Sequence, residues 1–463
     1  MGETLPDIAV PREPQDAADE YIRFLGDAVT PFHAVVECEN RLKSAGFVRL
    51  NPAEPLSVNH GEKAYVVHPD GKTIIAFVAG SRSPLSTGFA IWGAHTDSPD
   101  LRLRLNPLRG EAGTVQLTTQ YHGGIIRRAW FDRPLSLAGS VYQVVRNPSG
   151  APIFSPIDGQ PVINRTLVRL DEPLAVIPEL AIHLDRKKND EGKVNPQTML
   201  NAVFATGGDA NHAMKALSLK IGVPLDEIDG FDLHLVPHQR PMRVGVDGSF
   251  ILGPRHDDLA MVFAGLQGLI EAIEIDPSPR RTCVGAFFDA EETGSLTASG
   301  AQSSFLRDVL LRLARNHPET SGGDPEQSLL RSFVVSGDMA HALHPNHLDK
   351  HDSQHAPLIN QGLVIKANSN DRYATTGETA AFFRALCDAA GVPVQAFITR
   401  QDMACGSTIG PITAARLSAR TVDIGAPMWG MHSTFETMGA QDMIWAVAAA
   451  RALFVGGGGE ALS

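Results

Sequence analysis

The chain has 463 residues, 43% of them hydrophobic and 20% charged, enough for one large or two ordinary domains with an ample core. A formal net charge of -12 argues against nucleic acid as a partner. No apolar stretch approaches the length of a membrane span, and the first 20 residues are acidic and broken by proline where a signal peptide needs a basic start and an apolar core. A cytoplasmic protein without a membrane partner is therefore expected. Four scattered cysteines with no CxxC pair fit reduced thiols better than a disulfide frame or a structural zinc knuckle.

In chain order, residues 17–27 and 33–45 carry the period of amphipathic helices, the second closing at Gly46. Strands are expected at 64–68 and 73–78 around the turn PDGK, and at 87–93, which runs into His95, Thr96 and Asp97. His-x-Asp at a strand exit is a metal arrangement, because the acid can accept the second ring N–H and fix the tautomer. From about 101 to 240 the character changes: short β-like runs recur (LRLRLNP, GTVQLTTQY, LSLAGSVYQVV, RTLVRL, LAIHL, FDLHLVP), without the helical patterns that alternate with parallel strands. This predicts an inserted β-rich domain, with a mobile charged loop at 185–198 just after His183.

After Gly245 the α/β pattern returns. Asp257 and Asp258 precede a long apolar helix over 259–273, where one of them suits an N-cap and the other can point into a strand-end crevice. The apolar run 284–288 reads as a buried parallel strand that ends in Asp289, Glu291 and Glu292. A helix over 305–314 follows, then a second β run ending in Asp338, with His341, His344 and His347 behind it. A strand at 363–366, a helix at 378–390, a strand at 421–425 leading to His432, and a terminal helix to Phe454 complete the pattern, with VGGGGEALS as a disordered tail.

Strand ends and one helix start thus deliver His95, Asp257 or Asp258, Glu291, Glu292, Asp338 and His432, and in open α/β sheets ligands bind at the carboxyl ends of strands. The set suffices for two divalent ions: four positive charges against three ligand carboxylates leave a net positive centre, and mixed imidazole and carboxylate donors suit zinc while tolerating manganese or cobalt. Two such ions sit roughly 3.5 to 4 Å apart, a span one bridging carboxylate can hold. One glutamate remains to act as general base. No G-x-S-x-G, P-loop, G-x-G-x-x-G after a strand, or H-E-x-x-H is present in the sequence.

The strings GAHTDSPDLRLR, WFDRPLSLAG, LAIHL, GPRHDDL, FFDAEETGS, SGDMAHALHPN, IKANSNDRY, CGSTIGPI and MHS, in this order from about Tyr21 to Phe454, resemble the M18 family of metalloaminopeptidases, the aspartyl aminopeptidase family. The resemblance implies metal ligands at His95, Asp257 (bridging), Glu292, Asp338 and His432, a base at Glu291, and a histidine-orienting acid at Asp97. It also implies a pocket lysine at Lys366 and a histidine, His183, that reaches a neighbouring subunit's site. The fold implied is α/β, a mixed-sheet metallopeptidase catalytic domain (1–100 and 241–463) with an inserted β-rich dimerisation domain (101–240), whose dimers build a dodecamer. Peptides with a free N-terminus, many with N-terminal Asp or Glu, are the implied substrates. His256 and Asp258 depart from the apolar residue and Asn that more usually flank the bridging Asp. A neutral or broad preference at the first residue (P1), a related di-metal deacylase, and an inactive homologue kept for its assembly are the competing readings.

Overall fold

A computed structural model describes residues 14–207 and 209–456. The expected glycine-rich tail therefore falls, from residue 457 on, outside the described residues, and the terminal helix itself runs Ala440–Gly456. The chain divides into two compact units, one of residues 1–97, 241–431 and 435–463, the other of 98–240 with 432–434. Among the described residues no helix is long and apolar enough to cross a membrane.

The first unit is built on a nine-stranded mixed sheet. Its centre is four parallel strands in the order Thr282–Phe288, Phe89–His95, Phe333–Gly337 and Arg420–Gly425. The first three are buried along their whole length, as expected for strands covered on both faces. Ile74–Val78 joins one side antiparallel to Thr282–Phe288, and Leu363–Lys366 joins the other antiparallel to Arg420–Gly425. One face packs Trp92, Phe287 and Val335 against the helices His256–Ile275 and Ala440–Gly456. The other packs Ile91, Phe288 and Val334 against Phe305–Asn316 and Ile409–Leu417. The central helix comes close enough to the sheet that a Cβ on Gly265 would lie 2.2 Å from Trp92 Cδ1, so a larger residue there would have to displace the Trp92 ring. A smaller five-stranded sheet runs Met242–Val244, Phe250–Gly253, Glu436–Gly439, Pro427–Trp429, Ala340–His341.

The second unit is a six-stranded antiparallel sheet in the order Ile163–Arg169, Leu135–Val144, Gly230–Pro237, Asp100–Glu111, Thr114–His122, Ala202–Thr206. Its core gathers Leu101, Leu117, Trp130, Leu137 and Leu235. Two expectations fail here. LAIHL is not a strand but an exposed turn, with Leu180, Ile182 and Leu184 48%, 43% and 75% exposed, because apolar alternation alone does not supply a neighbouring strand. The region also holds a helix, Ala210–Ile221, capped by the Asp209 carboxylate at one end and left-handed Gly222 at the other. The charged 185–198 segment contains two short helices, Lys188–Glu191 and Pro196–Met199.

Candidate metal centre

His95 is the last residue of its strand and is buried. Its Nδ1 lies 3.0 Å from the Asp97 carbonyl oxygen, which can only accept, so Nδ1 carries the proton and Nε2 presents its lone pair. That Nε2 is 3.4 Å from Asp257 Oδ1. Asp257 and Asp258 open the helix His256–Ile275 with non-helical backbone angles, after Arg255 in the left-handed region, and a cis peptide bond joins them. The two carboxylates have different neighbours. Asp258 Oδ2 accepts the backbone N–H of His95 at 3.0 Å, while the backbone N–H of Asp257 donates to Glu436 Oε2 at 3.1 Å. Asp338 follows its strand by one residue, and its Oδ2 is 3.7 Å from Lys366 Nζ. Each of His95, Asp257, Asp258 and Asp338 offers one ligand atom, all within 4.8 Å of one another; His95, Glu291 and Glu292 form a second such group.

The turn after Thr282–Phe288 is fixed by its own backbone. Asp289 pairs with Lys72 at 2.6 Å and stays outside these groups. Ala290 enters the left-handed region at φ 66° and turns the chain. The next two N–H groups, of Glu291 and Glu292, then donate to the Asp97 carboxylate at 3.0 and 3.3 Å. Asp97 therefore serves the site twice: its carbonyl orients His95 and its carboxylate anchors the two glutamates.

Burial pushes the Glu291 carboxyl up to about 8; His95 opposes this, while Asp338, Asp257 and Asp97 add to it. Burial likewise raises Asp338 to about 6 against the pull of Lys366, and holds Asp258 well above the usual carboxylate range. A buried group of carboxylates sharing one imidazole and one ammonium is short of positive charge. Asp258 Oδ1 is buried with no hydrogen-bond partner among the described residues. Divalent cations fit this donor set, and imidazole with carboxylates is a zinc-type combination.

Two residues singled out in the sequence belong to the second unit. His432 has φ 69° and its Nδ1 donates to the Gly124 carbonyl at 3.1 Å, which puts the ring lone pair on Nε2. His183 lies exposed on the turn 182–184. Lys366 is only 3% exposed; its ammonium donates to the Met339 carbonyl at 3.2 Å and lies 5.3 Å from the Tyr373 ring centroid. His256, one of the two departures, is a structural histidine. Its Nε2–H donates to the Ile251 carbonyl at 3.1 Å, so its Nδ1 accepts the Tyr21 hydroxyl at 2.6 Å. Sequence reasoning missed Asp423, Glu436 and Lys72. The first had a signal, a lone acid inside the apolar strand RTVDIG. It also missed a cavity of about 480 Å³ lined by His341, His344, His347, Tyr373, Arg400 and Trp429.

The family model described as "Aminopeptidase I zinc metalloprotease (M18)" matches residues 24–454. A "Probable M18 family aminopeptidase 2" of Pseudomonas entomophila is 42% identical over 428 residues, covering 91% of this chain and 94% of its own. Among solved structures, that of the Ape4 and Nbr1 complex superposes with a TM-score of 0.88 at 32% identity, over 98% of this chain and 88% of that one. The dodecamer of mApe1 from S. cerevesiae gives 0.80 at 24% identity, over 95% and 96%.

Proposed function

The chain belongs to the M18 family of zinc metalloaminopeptidases, and from that premise we propose that it is a co-catalytic di-metal aminopeptidase that removes N-terminal residues, preferably Asp or Glu, from peptides. The observation that carries the reading is the seating of Glu291. Its backbone N–H is tied to the Asp97 carboxylate, and its own carboxylate falls in one group with His95 and Glu292.

His95, Asp257 and Asp338 would hold one ion, and Asp257, Glu292 and His432 the other; zinc is the expected metal, with manganese or cobalt tolerated. When bound, the ions supply Lewis acidity, polarising the scissile carbonyl and acidifying water at the site. Glu291 takes a proton from the water whose oxygen adds to the peptide carbonyl carbon. As the C–N bond breaks, the same carboxyl gives that proton to the leaving amine. Asp97 keeps His95 in one tautomer and holds Glu291 in place through both changes of charge.

The acidic preference is supported by Lys366 beside Asp338 and by the cavity, whose walls carry His341, His344, His347, Lys350 and Arg400 against one acid, Asp352, in a chain of net charge -12. A broad or neutral preference is the second reading, favoured by the near-complete burial of Lys366 against the Met339 carbonyl. We further infer a homo-oligomer assembled through the second unit, dodecameric as the mApe1 structure is, with His183 reaching a neighbouring subunit's site. The four free cysteines suit a cytoplasmic setting. The test is a panel of aspartyl, glutamyl and leucyl anilides and their N-acylated forms, with zinc, manganese or cobalt restored after chelation. Faster turnover of free-amine aspartyl and glutamyl substrates supports the proposal; equal rates on leucyl substrates support the second reading, and preference for N-acylated substrates sinks both.

A further inference from the structure

Asp423 is fully buried in the strand Arg420–Gly425, while its strand neighbours Val422 and Ile424 belong to the apolar core. A carboxylate in such a place is costly unless it is paired and hydrogen-bonded. Its seat is built for it: the Thr408 hydroxyl donates to Oδ1 at 2.7 Å and the Ala374 backbone N–H to Oδ2 at 2.6 Å. A Cβ on Gly410 would lie 2.2 Å from Oδ1, so the helix start at Ile409–Leu417 closes over the carboxylate without room to spare.

The neighbouring strand supplies the charge partner. Val364 faces Gly425 and Ile365 faces Ile424 across the antiparallel pair, which ends there: the Asp423 N–H donates instead to Thr375 Oγ1 at 2.9 Å, and Lys366 stands one residue past the last pair, on the strand beside Asp423. On the other side, Ser336 faces Asp423, and Asp338 stands two residues beyond Ser336, on the same side of the sheet. The Lys366 ammonium acts by charge on both acids. It lies 3.7 Å from Asp338 Oδ2, is tethered to the Met339 carbonyl at 3.2 Å, and offsets part of the cost of burying Asp423.

We propose that Asp423 is a positioning residue for Asp338, acting through Lys366. Fixed by Thr408 and Ala374, Asp423 holds the ammonium behind the Asp338 carboxylate, so that one Asp338 oxygen faces Lys366 and the other is left for the metal. It also shares the lysine's charge. Without Asp423 the whole of that charge falls on Asp338 and competes with the cation for it. The inference rests on reading Asp338 as a metal ligand.

The test is zinc affinity of the full chain, measured by competition with a chromophoric chelator, for wild type, Asp423→Asn, Lys366→Met and the double variant. Loss of a group that orients a ligand costs about 10- to 100-fold in metal affinity, and that loss is expected for Asp423→Asn in the wild-type background. In the Lys366→Met background the same substitution should change affinity by less than about threefold, because residues acting through one another are non-additive. Unchanged affinity in Asp423→Asn, or an equal loss in both backgrounds, overturns the inference. If Asp423→Asn does not fold, Thr408→Val against Thr408→Ser asks the same question: affinity must fall only where the hydroxyl is lost, and equal affinities overturn it. Wild-type protein that takes up no zinc overturns the functional reading and this inference together, whereas normal uptake with an unaffected Asp423→Asn overturns the inference alone.

Discussion

Asp257 turns its carboxylate toward His95 Nε2, whereas Asp258 accepts the N–H of the same histidine's backbone. Asp257→Ala should therefore lose metal outright, and Asp258→Asn, which keeps an acceptor for that N–H, should retain it within about the 10- to 100-fold range of a supporting residue. Metal analysis after dialysis separates them; two tightly held ions in Asp257→Ala with none in Asp258→Asn would reverse the roles. The sequence brought both aspartates into view but could not divide the work, because the division is made by non-helical backbone angles at the helix start, which no apolar period encodes. Asp423 was passed over for the opposite reason: a single acid in a buried strand does not disturb the pattern that identifies the strand. The cysteines give a second residue-scale expectation. Burial pushes the Cys283 and Cys387 thiols up to about 12 and Cys38 higher still, while Cys405 is half-buried. An aromatic disulfide reagent at neutral pH should titrate Cys405 alone in the native protein and all four thiols after denaturation. Rapid reaction of a second native thiol would contradict the packing described around the first three.

At the scale of elements, the site depends on four parallel strands ending at one edge, and on how closely the helix behind them packs. Gly265 lets that helix approach Trp92 closely. Alanine in a helix interior gains roughly 0.5–1 kcal/mol over glycine, but overpacking a filled core costs about 1–3 kcal/mol. The second term should win, so Gly265→Ala should shift the urea midpoint downward; a higher midpoint would mean that Trp92 has room to move. His95, Asp338, Glu291 and Glu292 were legible because each stands just past a continuous apolar run, and the exit of a buried strand shows in sequence. The LAIHL turn was misread because its apolar residues alternate without a strand to pair with. The Ala210–Ile221 helix was overlooked although Asp209 and Gly222 mark its ends, since only Ala213, Leu217 and Ser218 are buried on it and its apolar stripe is correspondingly thin.

For the whole molecule, the second unit exposes Phe154, Ile157, Ile163 and Leu184, apolar side chains suited to burial against another copy. Sedimentation at micromolar concentration should show a large homo-oligomer, and a monomer would remove the basis for His183 acting in a neighbouring site. Chelation should also lower the melting temperature. A ligand at a thousand times its Kd stabilises by about 4 kcal/mol per site, and here removing the cation also restores repulsion among Asp257, Asp258 and Asp338. A melting temperature unmoved by chelation would mean that these carboxylates hold no ion. The most direct test of the account is metal content and turnover measured together on wild type and Glu291→Gln. The amide keeps the shape of the side chain but cannot accept the proton, so both proteins should carry two ions per chain while kcat falls by about 10² to 10⁴ in the variant. Near-wild-type turnover in a metal-replete Glu291→Gln protein would contradict it.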